Sequence, residues 1–90
     1  MSLAGIASKA GTTSSNLKKL ISKGEGSPSL AQRIGTTSTN LTGFVDGRAS
    51  PGIAKALGTT SANAQELRDS IGRQGAIGLI IGLACAREKE

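Results

Sequence analysis

A four-residue phrase, Gly-Thr-Thr-Ser, occurs three times in this chain of 90 residues. Its glycines are Gly11, Gly35 and Gly58, so the copies begin 24 and 23 residues apart. Self-similarity at a fixed period of roughly 20 to 50 residues is typical of proteins built from similar supersecondary units. The repeated phrase therefore predicts three units of about 24 residues, and any fold for this chain must accommodate them.

The residues on either side of each phrase predict a pair of short helices. Before the glycine, apolar residues recur at i, i+1 and i+4, which marks one face of a helix. Glycine can end that helix in a left-handed conformation, and the Thr-Thr-Ser that follows can cap a second helix. Ser-Pro at 27–28 and 50–51 is typical of a helix start. The predicted helices are 3–10, 13–23, 28–34, 37–46, 51–57 and 60–71.

The C-terminal segment has a different composition. Gly75–Ala86 is strongly apolar, but its 12 residues fall short of the roughly 20 that a membrane-spanning helix needs. Alternation of Ile77, Leu79 and Ile81 leaves a strand possible, and we favour a helix. The predicted fold is all-α: three short helix-turn-helix repeat units in 1–72, plus a C-terminal apolar helix in 73–90 with its charged tail.

Charge and cysteine content narrow the classes of partner. The formal net charge is +5 and the pI is near 10.0, which favours phosphate backbones or anionic lipid, although solubility alone can explain it. The lone Cys85 cannot form an internal disulfide and is expected to be a small buried apolar side chain. Because no signal-peptide pattern opens the chain, we expect a cytoplasmic protein.

Catalytic chemistry has little support in the residue types present. The chain has no histidine, one cysteine and six carboxylates without a paired or metal-ligand spacing. We therefore expect no enzyme activity, catalytic residue, metal, cofactor or small-molecule substrate. The charged residues late in the chain are expected to be ordinary surface charge: Arg68, Asp69, Arg73, Arg87, Glu88, Lys89 and Glu90.

The middle unit carries a more specific pattern. It has a Leu-Ala opening, an apolar-Gly close, a polar second helix, and a glycine shortly before Ser-Pro; the residues are Leu30, Ala31, Ile34, Gly35, Leu41, Phe44, Gly47, Ser50 and Pro51. This skeleton resembles the lambda-repressor-like (Cro/C1 or XRE-type) helix-turn-helix family, and Ile53–Thr60 resembles the phrase that follows it. The resemblance covers about Ser29–Thr60.

The resemblance implies a small transcriptional regulator that binds duplex DNA as a dimer. In such proteins the first helix braces the second, whose N-terminus enters the major groove. By family position, Thr37 would cap the second helix and contact phosphate, and Asn40 could read adenine. The remaining implied DNA contacts are base edges for Ser38, Thr39 and Thr42, and phosphates for Arg33 and Arg48.

Two alternatives stay open. A turn phrase written three times can be capping chemistry alone, and the family often carries Gln or Arg where this chain has Ser38 and Gly43. The chain could then be a structural protein whose stacked helical repeats self-associate into a particle or filament. In either case we expect a homo-oligomer contact at Gly75–Ala86, because so apolar a run is hard to bury in 90 residues. An interfacial membrane segment there is a weaker option.

Overall fold

Six helices follow one another along residues 2–88, the part of the chain that this computed structural model describes. Their bounds are α1 Leu3–Ala10, α2 Ser14–Lys23, α3 Pro28–Ile34, α4 Ser38–Asp46, α5 Pro51–Leu57 and α6 Ser61–Ala86. No strand occurs in this range, so the prediction of an all-α fold is confirmed. Met1, Lys89 and Glu90 lie outside the described residues, and so does the surface charge predicted for the last two.

Each helix begins at a hydroxyl cap. The side chain of the capping residue accepts a hydrogen bond from the backbone N–H three residues later, which satisfies one of the free donors of the first turn. The caps are Ser2, Thr13, Ser27, Thr37, Ser50 and Thr60. The first five helices end at a glycine in the left-handed region, as Gly35 does with φ 95°. These local signals are why α1 to α5 lie within one residue of their predicted bounds.

The last helix, α6, spans the predicted helix 60–71 and continues into the predicted C-terminal apolar segment. α6 covers Ser61–Ala86, and Gly72 interrupts its helical backbone with φ 72° and ψ −176°. The apolar run after Gly72 is helical rather than a strand. Within residues 2–88, no helix has the length and apolar character needed to cross a bilayer.

The core is centred on α6, which packs against α1, α3, α4 and α5. Buried apolar side chains of α6 and of the other helices form one cluster: Ala7, Ala10, Leu17, Leu20, Leu30, Ala31, Ile34, Leu41, Phe44, Val45, Ile53, Ala56, Ala76, Ile77, Ile80 and Ala84. Half-buried Cys85 packs against this cluster. The premise that the apolar run could not be buried internally is therefore wrong for Ile77 and Ile80, because other helices of the same chain cover them.

Arginine side chains bind the carbonyl ends of several helices. Arg68 donates from Nε to Phe44 O (2.6 Å) and from Nη2 to Val45 O (2.7 Å), at the C-terminus of α4. Arg87 donates from Nη1 to the carbonyl of Ile34 in α3 and from Nη2 to that of Ala56 in α5 (2.8 Å). The prediction of ordinary surface charge is therefore wrong for Arg68, which is 9% exposed.

Candidate nucleic-acid interface

The repeated Thr-Thr-Ser-X-Asn phrase has the same hydrogen bonds in all three copies. The asparagine backbone N–H donates to the second threonine, over 3.1 Å to Thr13, 3.1 Å to Thr37 and 3.2 Å to Thr60. The asparagine Nδ2 donates to the first threonine, over 2.9, 3.0 and 3.2 Å in the same order. Both threonine hydroxyls of each copy therefore take part in fixing a helix start, whether or not they meet another molecule.

The middle copy places α4 across α3, and the two helices are in contact. Leu41, Phe44 and Val45 anchor α4 because each is at most 1% exposed. At the opposite side of its first turn, Thr37 and Thr39 are exposed and Ser38 is half-buried. The start of α4 is therefore open to solvent, as a helix that enters a groove must be.

Two of the residues expected to contact DNA are engaged within the protein. Asn40 is half-buried, and its Nδ2 donates to Thr36 Oγ1 over 3.0 Å. Thr42 is also half-buried; its hydroxyl donates to Ser38 O and accepts from the Gly26 N–H, each over 3.0 Å. The Thr42 hydroxyl therefore both donates and accepts within the protein, and Asn40 commits its Nδ2 to the turn before α4.

Arg33 is also engaged, and with partners far along the chain. Its Nη1 donates to Lys9 O (3.0 Å) and Ala84 O (3.2 Å), near the ends of α1 and α6. Helix C-termini carry carbonyls without an intrahelical partner and a partial negative charge, so they attract a guanidinium as a phosphate would. The structure therefore places Arg33 between two helix ends rather than beside a groove.

Arg48 stays at the surface beside α4. Its side chain is exposed, and a Cβ built on Gly43 would lie 3.6 Å from its Nη2. Gly43 is one helical turn beyond Thr39, so the guanidinium and the Thr39 hydroxyl belong to one side of α4. Thr37, Thr39 and Arg48 together are called the α4 face below. Asp46, two turns beyond Thr39, is exposed on that side and adds a negative charge to it.

Gly26, in the loop between α2 and α3, contacts α4, and the sequence did not predict this contact. Besides its bond to Thr42, its backbone lies so close to Leu41 that an added Cβ would collide with that side chain. No local residue pattern predicts this contact, because it depends on how the loop between α2 and α3 lies against α4.

Comparison with known proteins gives no relative from which to transfer a role. No protein-family model matches this chain, and no curated protein or solved structure matches it either. The lambda-repressor-like resemblance therefore rests on the residues quoted for it, and what can be inferred about function comes from the geometry of residues 2–88.

Proposed function

We propose that this protein binds duplex DNA through the α4 face and acts as a small transcriptional regulator. The observation that carries the proposal is the exposed first turn of α4, with Thr37 and Thr39 open to solvent, on a helix fixed by buried Leu41, Phe44 and Val45. A rigid helix with a polar, accessible N-terminus is the element that helix-turn-helix proteins place in the major groove.

The chemistry of the face sets what it can do. Threonine hydroxyls can contact phosphate oxygens or base edges, but they discriminate between bases weakly. Arg48 supplies a guanidinium that fits a phosphate bidentately. With Arg33 and Asn40 engaged inside the protein, sequence discrimination by this face is modest and affinity depends mainly on phosphate.

The architectural part of the proposal is a threefold repeat. We infer three consecutive helix pairs: α1 with α2, α3 with α4, and α5 with the part of α6 before Gly72. The repeated hydrogen bonds of the Thr-Thr-Ser-X-Asn phrase support this inference, as do the glycine ends of α1, α3 and α5. The apolar part of α6 after Gly72 then packs against several pairs.

The direct test is a duplex titration at two salt concentrations with matched variants. Arg48→Ala removes a cation from the α4 face, and Lys55→Ala removes an exposed cation from α5. We expect the Arg48 variant to bind more weakly, with its log K against log salt slope reduced by about 0.9 for one lost phosphate contact. Lys55→Ala should bind as the wild type does, and an equal effect of the two would refute the assignment of the face.

A second pair of variants separates capping from contact. Thr37→Ala and Thr60→Ala each remove an N-cap, so both should cost about 1 kcal/mol of folding free energy in urea denaturation. Only Thr37→Ala should also weaken duplex binding when both variants are fully folded. If the two variants bind DNA equally well, the hydroxyl of Thr37 serves the helix alone.

Self-association is the second candidate function, and one observation favours it. Gly78 and Gly82 are exposed, lie one turn apart on α6, and have open space where a Cβ would stand. A second copy could approach this side of the helix closely and make the homo-oligomer contact expected at Gly75–Ala86. Sedimentation with and without DNA distinguishes the candidates: large assemblies that form without DNA and do not bind it favour a structural role.

A further inference from the structure

The second helix exposes an unusual density of positive charge. Lys18, Lys19 and Lys23 are all exposed, and the α2 sequence SSNLKKLISK has no acidic residue. A fourth cation lies at the end of this helix, where a Cβ built on Gly24 would be 2.8 Å from Nη2 of Arg73. Lys18, Lys19, Lys23 and Arg73 are called the α2 basic surface below.

These cations differ from the arginines that join helices. Arg33, Arg68 and Arg87 each donate hydrogen bonds to backbone carbonyls, so part of the net charge of +5 is committed to holding the fold. The three lysines of α2 instead extend compact ammonium groups into solvent on flexible stems, which suits contacts to phosphate that read no sequence. Two exposed acids lie near these cations in the sequence: Glu25 follows α2, and Asp69 precedes Arg73 by four residues across the break at Gly72.

A polar groove lies between this surface and the loop that joins α2 to α3. The groove has a volume of about 160 Å³ and is lined by Asn16, Lys19, Glu25, Gly26, Ser27 and Pro28. On its other side, Gly26 donates its N–H to Thr42 of α4 and packs on Leu41. The loop that carries Gly26 therefore lies between the groove lined by Lys19 and the side of α4 that carries Thr42.

We propose that the α2 basic surface binds the phosphodiester backbone of the nucleic acid that the α4 face meets. The inference rests on the proposed function, and it assigns most of the sequence-independent affinity to the lysines of α2 rather than to arginines. A lipid surface fits less well, because Ile21, 43% exposed, is the one large exposed apolar side chain that α2 offers for insertion within the described residues.

The experiment measures the salt dependence of binding to a short random-sequence duplex. A triple variant, Lys18→Gln, Lys19→Gln and Lys23→Gln, removes the charge and keeps polar side chains. If each lysine contacts one phosphate, the slope of log K against log salt is smaller in magnitude by about 2.7 in the variant than in the wild type. Between about 50 and 200 mM salt, the affinity of the wild type for duplex should then fall by a factor about 40 times larger than that of the variant. A control variant with arginine at the same three positions, Lys18→Arg, Lys19→Arg and Lys23→Arg, keeps the charge and should retain the wild-type slope. Lys55→Gln should also leave the slope unchanged.

The outcomes separate this inference from the function on which it rests. If the wild type binds duplex but the triple glutamine variant has the slope of Lys55→Gln, the α2 surface is refuted and the α4 proposal stands. If the wild type binds no duplex, both fail. Lysine-dependent binding to phosphatidylserine vesicles without duplex binding would also overturn the inference, because the surface would then serve a lipid. Circular dichroism before each titration confirms that the exposed substitutions leave the fold intact.

Discussion

Arg68 is a charged side chain that the protein buries almost completely. Its guanidinium donates to Val45 O and to Phe44 O, which also accepts the Gly47 N–H, in the last turn of α4. Burial of a cation is unfavourable in isolation, but the partial negative charge of a helix C-terminus and two short hydrogen bonds offset that cost. Arg68 therefore fixes α6 to α4 at a point where apolar packing alone could not satisfy the carbonyls.

Arg68→Met should lower the free energy of unfolding by about 2 to 3 kcal/mol, because two buried carbonyls lose their charged donor. Urea denaturation followed by circular dichroism measures the change. Arg48→Met removes an exposed guanidinium of the same shape and should stay within about 0.5 kcal/mol of the wild type. A similar small loss in both variants would contradict a stabilising role for the Arg68 bonds.

The roles of single arginines could not be predicted from the sequence. Arg68 lies 24 residues from Phe44, and Arg33 lies 51 residues from Ala84. No local pattern records which helix end a flexible cation reaches, so the family resemblance assigned Arg33 to phosphate. Short-range chemistry was predictable, since the caps at Thr37 and Thr60 use donors three residues away.

At the scale of elements, the break in α6 depends on one backbone conformation. Gly72 has φ 72° and ψ −176°, which a residue with a Cβ rarely adopts, although nothing stands within 4 Å of where that Cβ would be. Its substitution therefore tests backbone conformation rather than packing. The helix ends of α1 to α5 were predictable because glycine stops and hydroxyl starts adjoin them, and the same glycine signal predicted a boundary at Gly72, where the helical backbone of α6 is interrupted.

Gly72→Ala should destabilise the protein by about 1 to 3 kcal/mol, the usual cost of holding a non-glycine residue in such a region. Gly78→Ala is the matched control: Gly78 is exposed, lies in the helical part of α6 and has open space around it, so alanine should stabilise by about 0.5 to 1 kcal/mol. Thermal unfolding of the two variants should move in opposite directions. A stabilising Gly72→Ala would show that the break is not required.

At the scale of the whole molecule, the apolar run Gly75–Ala86 contributes buried side chains to the core. Ile80 is 2% exposed and belongs to the cluster that includes Leu30, Ile34 and Phe44, while its neighbour Ile81 is half-buried. The sequence identified this run as the strongest apolar feature. It could not say what covers the run, because the packing of α1, α3, α4 and α5 against α6 depends on long-range contacts that no local pattern records.

Ile80→Ala should therefore cost about 2 to 5 kcal/mol, with a melting temperature that does not depend on protein concentration. Ile81→Ala should cost distinctly less, since its side chain is only partly removed from solvent. Differential scanning calorimetry across a tenfold or so range of concentration checks both statements. A melting temperature of the Ile80 variant that rises with concentration would indicate that the run is covered by another copy instead.

The self-contained turns also bear on the order in which the chain folds. The two hydrogen bonds that the three Thr-Thr-Ser-X-Asn turns share each close within four residues, so these helix starts can form before distant segments meet. The first turn adds longer-range contacts from Thr12 and Asn16 to Ser29. The clamps of Arg33 and Arg87 instead close loops of 51 and 53 residues. Because long loops are costly to close, we expect these clamps to form late and to affect the unfolding rate more than the folding rate.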